Sequence, residues 1–300
     1  MLESLRVSSW VDAQRRLPPV TPPDRTCCSP VGIRTLVHTM GHAVELTPLD
    51  FTPPNSYRVS KRVPFPCASA PERLAAGDLQ KCLTFAYEMT YGQGAHRDHR
   101  ASGRQFRKPE LIFRDTLQGK IAEVVICNQL SRAGLGASPD FSVAPLGTWD
   151  SGDIHVAGYN IAIKSTKEIG NVLLLECADW KVPNFYLHGP GGVSMKVDAV
   201  IFARVKMPKL HESMDILSPK LTTFDDLQVS SFAADIPGYI NGNDLEACLR
   251  SSNVIRQGSK LNGTVKMDVD NFYVQAGDLK PFEQLVRGLG LSPRRTPEQV

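Results

Sequence analysis

Glu123 is the only polar residue in the run IAEVVIC, residues 121–127. At about 100° per residue, Leu117, Ile121 and Val124 mark one face of a helix. Ile126 and Leu130 lie on the opposite side, close to Glu123 in angle. A helix that is apolar nearly all round belongs in a core. A lone carboxylate there is costly unless a cation or hydrogen-bond donors meet it. Glu123 is therefore either half of a structural ion pair or part of a functional site. Asp153 and Lys164 raise a related question. They bound two short β-rich runs, DIHVAGY (153–159) and NIAIKST (160–166). A turn at Ala157-Gly158 would bring both to the same end of a hairpin. With the period of two of a strand, Ile161 and Ile163 share one face, and Ala162 and Lys164 share the other. The small neighbour leaves room for a ligand beside the lysine. Read alone, the pair also suits an ordinary hairpin with charged edges.

Two carboxylates and a lysine are what a divalent-metal phosphodiesterase site requires. Hard oxygens bind Mg²⁺ and leave some of its waters in place. The ion polarises a phosphate and acidifies its own water, and a lysine steadies developing negative charge.

The order of these residues resembles the PD-(D/E)xK nuclease superfamily, and type II restriction endonucleases in particular. The resemblance covers roughly residues 80–280. It rests on Glu123 in GKIAEVV, Asp153 in SGDIHV and Lys164 in IAIKSTK, followed by NVLLLE, VDAVIFARVK, GYINGNDL and DVDNFYVQAGDLK. It implies an α/β restriction-endonuclease-like core, a central mixed sheet with helices on both faces. It further implies a Mg²⁺-dependent endonuclease acting on double-stranded DNA as a homodimer, leaving 5′-phosphate ends. A separately encoded cognate methyltransferase would be a partner. Asp153 and Glu123 would hold the ion, with the backbone carbonyl of Ile163, and Lys164 would orient or activate the water.

The superfamily pattern has an acid two residues before the lysine, where this chain has Ala162. Either the acid has migrated to the preceding helix as Glu123, or the chain is an inactive DNA-binding relative. Asp140, in a literal Pro139-Asp140 dipeptide, rivals Asp153 for the metal-binding aspartate, and Asp150 comes third.

A basic stretch, HRDHRASGRQFRK (96–108), precedes the Glu123 helix. Arg97, Arg100, Arg104, Arg107 and Lys108 suit phosphate oxygens and guanine edges. A solvated charge run has the same composition. Lys167 is a further phosphate contact or an exposed charge. His38 with His42, and His96 with His99, lack the surrounding ligands of a metal site. Trp149, Trp180 and Tyr186 read as packing residues.

Several elements must position these groups. AGDLQKCLTFAYEMTYG reads as a helix ended by Gly92 and Gly94. A longer helix follows from PELIFR, interrupted near Gly119 and closed by Gly134 or Gly136. After the hairpin come 171–180 and the buried-strand candidate 197–206, and 236–290 mixes short helices with strands. Residues 1–77 are dense in proline, which bars helix interiors and central strands. They read as an extended, poorly ordered or linking segment ahead of a nuclease domain at 78–300.

The composition, 42% hydrophobic and 22% charged, is that of an ordinary globular chain, and a net charge of +3 carries no argument about nucleic acid. Seven cysteines without a CxxC pair argue against a disulfide framework or zinc ribbon and point to a reducing, cytoplasmic compartment. No run approaches the roughly 20 apolar residues of a membrane helix. MLESLRVSSWVDAQRRL lacks the apolar centre of a signal peptide.

Overall fold

The computed structural model describes residues 43–67, 72–92, 108–143, 153–187, 194–208 and 232–291. The chain divides into Met1–Arg34 and Thr35–Val300, and every described residue belongs to the second unit. Among the described residues it is a mixed α/β fold. In chain order the elements are β1 (Asp50–Thr52), β2 (Ser56–Arg58), β3 (Glu72–Arg73), α1 (Ala76–Tyr91), α2 (Pro109–Arg132), β4 (Ile154–Val156), β5 (Tyr159–Lys167) and β6 (Val172–Glu176). They continue with β7 (Trp180–Lys181), β8 (Phe185–Leu187), β9 (Ser194–Lys196), β10 (Ala199–Lys206), β11 (Ala233–Asn241) and α3 (Gly242–Arg250). The last are β12 (Val254–Ile255), β13 (Lys260–Leu261), β14 (Val265–Lys266), β15 (Asn271–Gln275) and α4 (Phe282–Leu291). No helix among the described residues is long and apolar enough to cross a membrane.

The main sheet has the order β3-β11-β10-β5-β4. β10 runs parallel to β5 and antiparallel to β11, so the sheet is mixed. The near-continuous apolar text of β10 follows from burial on both faces. Ala199, Ile201, Ala203 and Val205 join the cluster made by α1, α2 and α4. Val200 and Phe202 join a second cluster with Leu245 and Cys248 of α3 and with Leu173 and Leu175 of β6. Helices thus cover both faces of the sheet. β5 divides its residues in the same way: Ile161 and Ile163 pack towards α2, and Ala162 packs into the second cluster.

The helix spacing predicts a break in α2 near Gly119, but the helix runs unbroken through it for 24 residues. A glycine weakens a helix by only about 1 kcal/mol. Leu117, Ile121, Val124 and Leu130, all buried in the first cluster, hold this one together. Pro109 opens the helix. Gly134, at φ +78°, closes it, where Leu135 N–H reaches the Leu130 carbonyl at 3.0 Å.

Proline density predicts poor order throughout 1–77, yet residues 43–67 are built into the fold. β1 and β2 pair as a hairpin, and β2 pairs in parallel with β13. The remaining backbone donors find side chains far along the chain. Thr47 N–H donates to Asp278 at 3.0 Å, Ser60 and Lys61 N–H to Gln275 at 2.9 Å each, and Cys67 N–H to Asp235 at 2.7 Å. Arg204, fully buried and paired with Asp235, donates to the carbonyls of Val63 and Pro64 at 2.7 Å. Proline prevents a regular ladder, and long-range side chains satisfy the backbone in its place. His38, His42 and the rest of 1–42 lie outside the described residues.

Candidate active site

α2 offers one stripe of residues to a cavity of about 480 Å³: Asp115, Gly119 and Glu123, with Thr116 and Lys120 beside them. Spacing of three and four keeps these positions on one side of the helix. Gly119 contributes emptiness, since a Cβ built there would meet nothing within 4 Å. Asp153, Ile163, Lys164 and Ser165 line the opposite wall, and Tyr186 of β8 adds to it. Glu123, Asp153, Ile163 and Lys164, the four residues singled out for a metal-dependent site, therefore meet at one cavity.

The hairpin explains how Asp153 arrives there. The turn falls at Ala157-Gly158, where both residues have positive φ, as a tight hairpin turn requires. β4 pairs only with Tyr159–Ile161, so the outer edge of β5 beyond Ile161 has no strand partner among the described residues. Asp153 covers the first gap, its Oδ2 accepting the Ile163 N–H at 2.5 Å. The N–H and C=O of one strand residue point to the same edge. The Ile163 carbonyl therefore faces that open edge as well.

Lys164 is half-buried. Its ammonium lies 5.0 Å from the Tyr186 ring centroid and 5.9 Å from that of Trp180. The two rings pack edge to face at 5.1 Å. Both read as packing residues from sequence, and both do pack, but around this ammonium. Burial works against the charged lysine, yet Tyr186, Asp153, Asp179 and Glu176 outweigh it and hold its pKa above the usual lysine value.

Glu123 is 8% exposed and fully engaged. Oε2 lies 2.5 Å from the Lys120 ammonium, and Oε1 accepts the Asp140 N–H at 2.8 Å. Burial raises its pKa, and the charge of Asp153 adds to the rise, while Lys120 and the Asp140 N–H oppose both. Sequence reading missed Lys120, although the Lys-x-x-Glu spacing on a helix was the available signal. Lys120 is 7% exposed and lies 4.2 Å from the Phe85 ring centroid. Asp115 was also missed, eight residues before Glu123 on the same stripe.

The other candidates fare differently. The Asp140 carboxylate turns to Ser142, bonding its N–H at 2.8 Å and its hydroxyl. These bonds lower the pKa of Asp140, and the residue does not line the cavity. Lys108 is exposed directly before α2, and Lys167 is exposed at the end of β5. Neither lines the cavity. Asp150, Trp149, His96, His99, Arg97, Arg100, Arg104 and Arg107 lie outside the described residues.

Comparison with family models, curated proteins and solved structures finds no match to this chain. The chemistry of the site must be judged on its own donors. Among the described residues no three His, Cys, Asp or Glu side chains gather to hold a metal ion by themselves. Glu123 and Asp153, which line one cavity with Ile163, are of the donor type that Mg²⁺ takes, an ion that commonly uses one or two carboxylates and keeps its waters for a phosphate partner.

Proposed function

We propose that this chain is a Mg²⁺-dependent endonuclease with a restriction-endonuclease-like core that hydrolyses phosphodiester bonds of double-stranded DNA. The observation that carries the reading is the convergence of Glu123, Asp153 and Lys164 on one cavity from three separate elements. Asp153 and Glu123, with the Ile163 carbonyl, would hold the ion. Bound Mg²⁺ would polarise the phosphate and acidify a water. Lys164 would orient or activate the attacking water and steady the charge that builds on the phosphate oxygens in the transition state. Attack by the water oxygen on phosphorus expels the 3′ oxygen, which takes up a proton, and leaves a 5′-phosphate.

Recognition of the duplex falls to the basic stretch that leads into α2, with Arg97, Arg100, Arg104, Arg107 and Lys108, and to Lys167. Two copies of the chain would act together on the two strands, and a separately encoded methyltransferase would protect the host's own sites. The unoxidised thiols of Cys82, Cys127, Cys177 and Cys248 accord with a reducing, cytoplasmic compartment.

A second reading, an inactive DNA-binding relative, is favoured by Ala162. It packs into the second core cluster, where the superfamily pattern has an acid. Cleavage of long unmodified DNA by the purified chain separates the two. The nuclease reading expects discrete fragments with Mg²⁺, none with EDTA, and none from Lys164→Ala or Asp153→Asn. Salt-dependent DNA retention without cleavage would replace it with the inactive relative. Cleavage that survives Lys164→Ala would remove Lys164 from the chemistry.

A further inference from the structure

Glu123 already has a cation. The Lys120 ammonium sits 2.5 Å from Oε2, and the Asp140 N–H occupies Oε1. An incoming ion can reach this carboxylate only by replacing one of the two. Replacing the Asp140 N–H would leave a backbone donor without its partner, which is costly away from water. Replacing Lys120 costs less. Its ammonium also donates to the Asp140 carbonyl and lies against the Phe85 ring at 4.2 Å and the Phe141 ring at 5.5 Å. Those contacts do not depend on Glu123, and a cation over aromatic faces keeps part of its stabilisation there.

On the strength of the nuclease reading, we propose that Lys120 is the resident counter-ion of Glu123 and sets the divalent-ion affinity of the site by competing for Oε2. Lys120 and an incoming ion would share one oxygen, Oε2 of Glu123. Lys120 is a positioning residue: it acts through Glu123, and needs no contact with DNA. A lysine with a merely structural role would, on removal, weaken ion binding. A competitor would, on removal, strengthen it.

The test is calorimetric titration of the full chain with Mn²⁺, a cation that also takes hard oxygen ligands. Lys120→Met and Lys120→Gln should each bind Mn²⁺ roughly tenfold to a hundredfold tighter than the unsubstituted chain, the range spanned by one charge-assisted hydrogen bond. The gain should vanish in a Glu123→Gln background. An equal gain in that background would mean that Lys120 acts as a diffuse charge, and would overturn the proposal. Unchanged or weaker binding by both variants would overturn it while leaving the ion site standing, provided that Asp153→Asn still weakens binding. Absence of any Mn²⁺ binding that Asp153→Asn reduces would overturn both the proposal and the metal site. If circular dichroism shows that neither variant folds, a crystal structure of the unsubstituted chain with Mn²⁺ decides. An ion on Glu123 with Lys120 withdrawn from Oε2 supports the proposal, and Lys120 still bonded to Oε2 overturns it.

Discussion

Gly119 should be replaceable by alanine with a gain in stability and a loss of function. It sits in the middle of α2, on the wall of the cavity. An interior glycine costs a helix about 0.8–1.0 kcal/mol relative to alanine, mainly because the unfolded chain loses freedom when a Cβ is added. The new Cβ would meet nothing within 4 Å, so no clash offsets the gain. The full 0.8–1.0 kcal/mol should appear as a rise in Tm of roughly 2–4 °C. The methyl group would stand between Asp115 and Glu123, in the space that a phosphate and its ion must share. DNA cleavage by Gly119→Ala should therefore fall while Tm rises, a trade of the kind met where a site tolerates a weak local structure. Differential scanning calorimetry and a cleavage assay on one preparation read both quantities. A Tm that falls would refute the continuous, unobstructed helix. A Tm that rises with cleavage unchanged would refute the placing of the reacting phosphate against α2.

Other perturbations report on separate parts of the structure. Arg204→Met should lower the unfolding free energy by about 3–5 kcal/mol in a urea titration, since it strands Asp235 uncompensated in the core. Adding Asp235→Leu should restore part of the loss, and a double variant as weak as the single one would contradict the pairing argument. Burial holds the Glu123 carboxyl above its ordinary 4.5, so the folded state binds its proton more tightly than the unfolded state. Its contribution to stability is then fullest below pH 4.5 and declines as pH rises through the folded value. The urea midpoint of the unsubstituted chain minus that of Glu123→Gln should accordingly decrease from pH 4.5 upward, and a pH-independent difference would sink the assignment. Burial also pushes the thiols of Cys82, Cys127 and Cys248 up to about 12. A thiol reagent at pH 8 should leave these three unlabelled until denaturant is added, and labelling of any of them in the native chain, read by peptide mass, would show that the core opens there.

What could be read from the sequence was the part written in local periodicity. The apolar spacing of α1, the two-residue turn at Ala157-Gly158 and the unbroken apolar text of β10 each express a short-range rule. The meeting of Glu123 with Asp153 was legible for a different reason: a lone carboxylate in an apolar helix demands a partner. The identity of that partner was harder to see. Lys120 was visible as a neighbour one turn away, but its second bond, to the Asp140 carbonyl, depends on a loop path that no spacing encodes. Tyr186 and Trp180 look like core residues because they are core residues, and only the sheet packing reveals that they surround Lys164. The N-terminal prolines misled most. They hide the short β1–β2 hairpin and say nothing about Gln275, Asp278 and Asp235, more than 160 residues away, which hold that backbone in place.

The strap formed by residues 43–67 makes the chain unsuited to being cut where its composition changes. A fragment that starts at Asp78 would keep α2, α3, α4, most of α1 and the hairpin of the cavity. It would also leave Gln275 and Asp278 without the backbone donors they accept, and Arg204 without the carbonyls of Val63 and Pro64. Arg204 lies on β10, the strand that runs beside β5 and its Lys164. Residues 43–67 are bonded to the main sheet through Arg204 and Asp235, so removing them should be felt first at that buried ion pair.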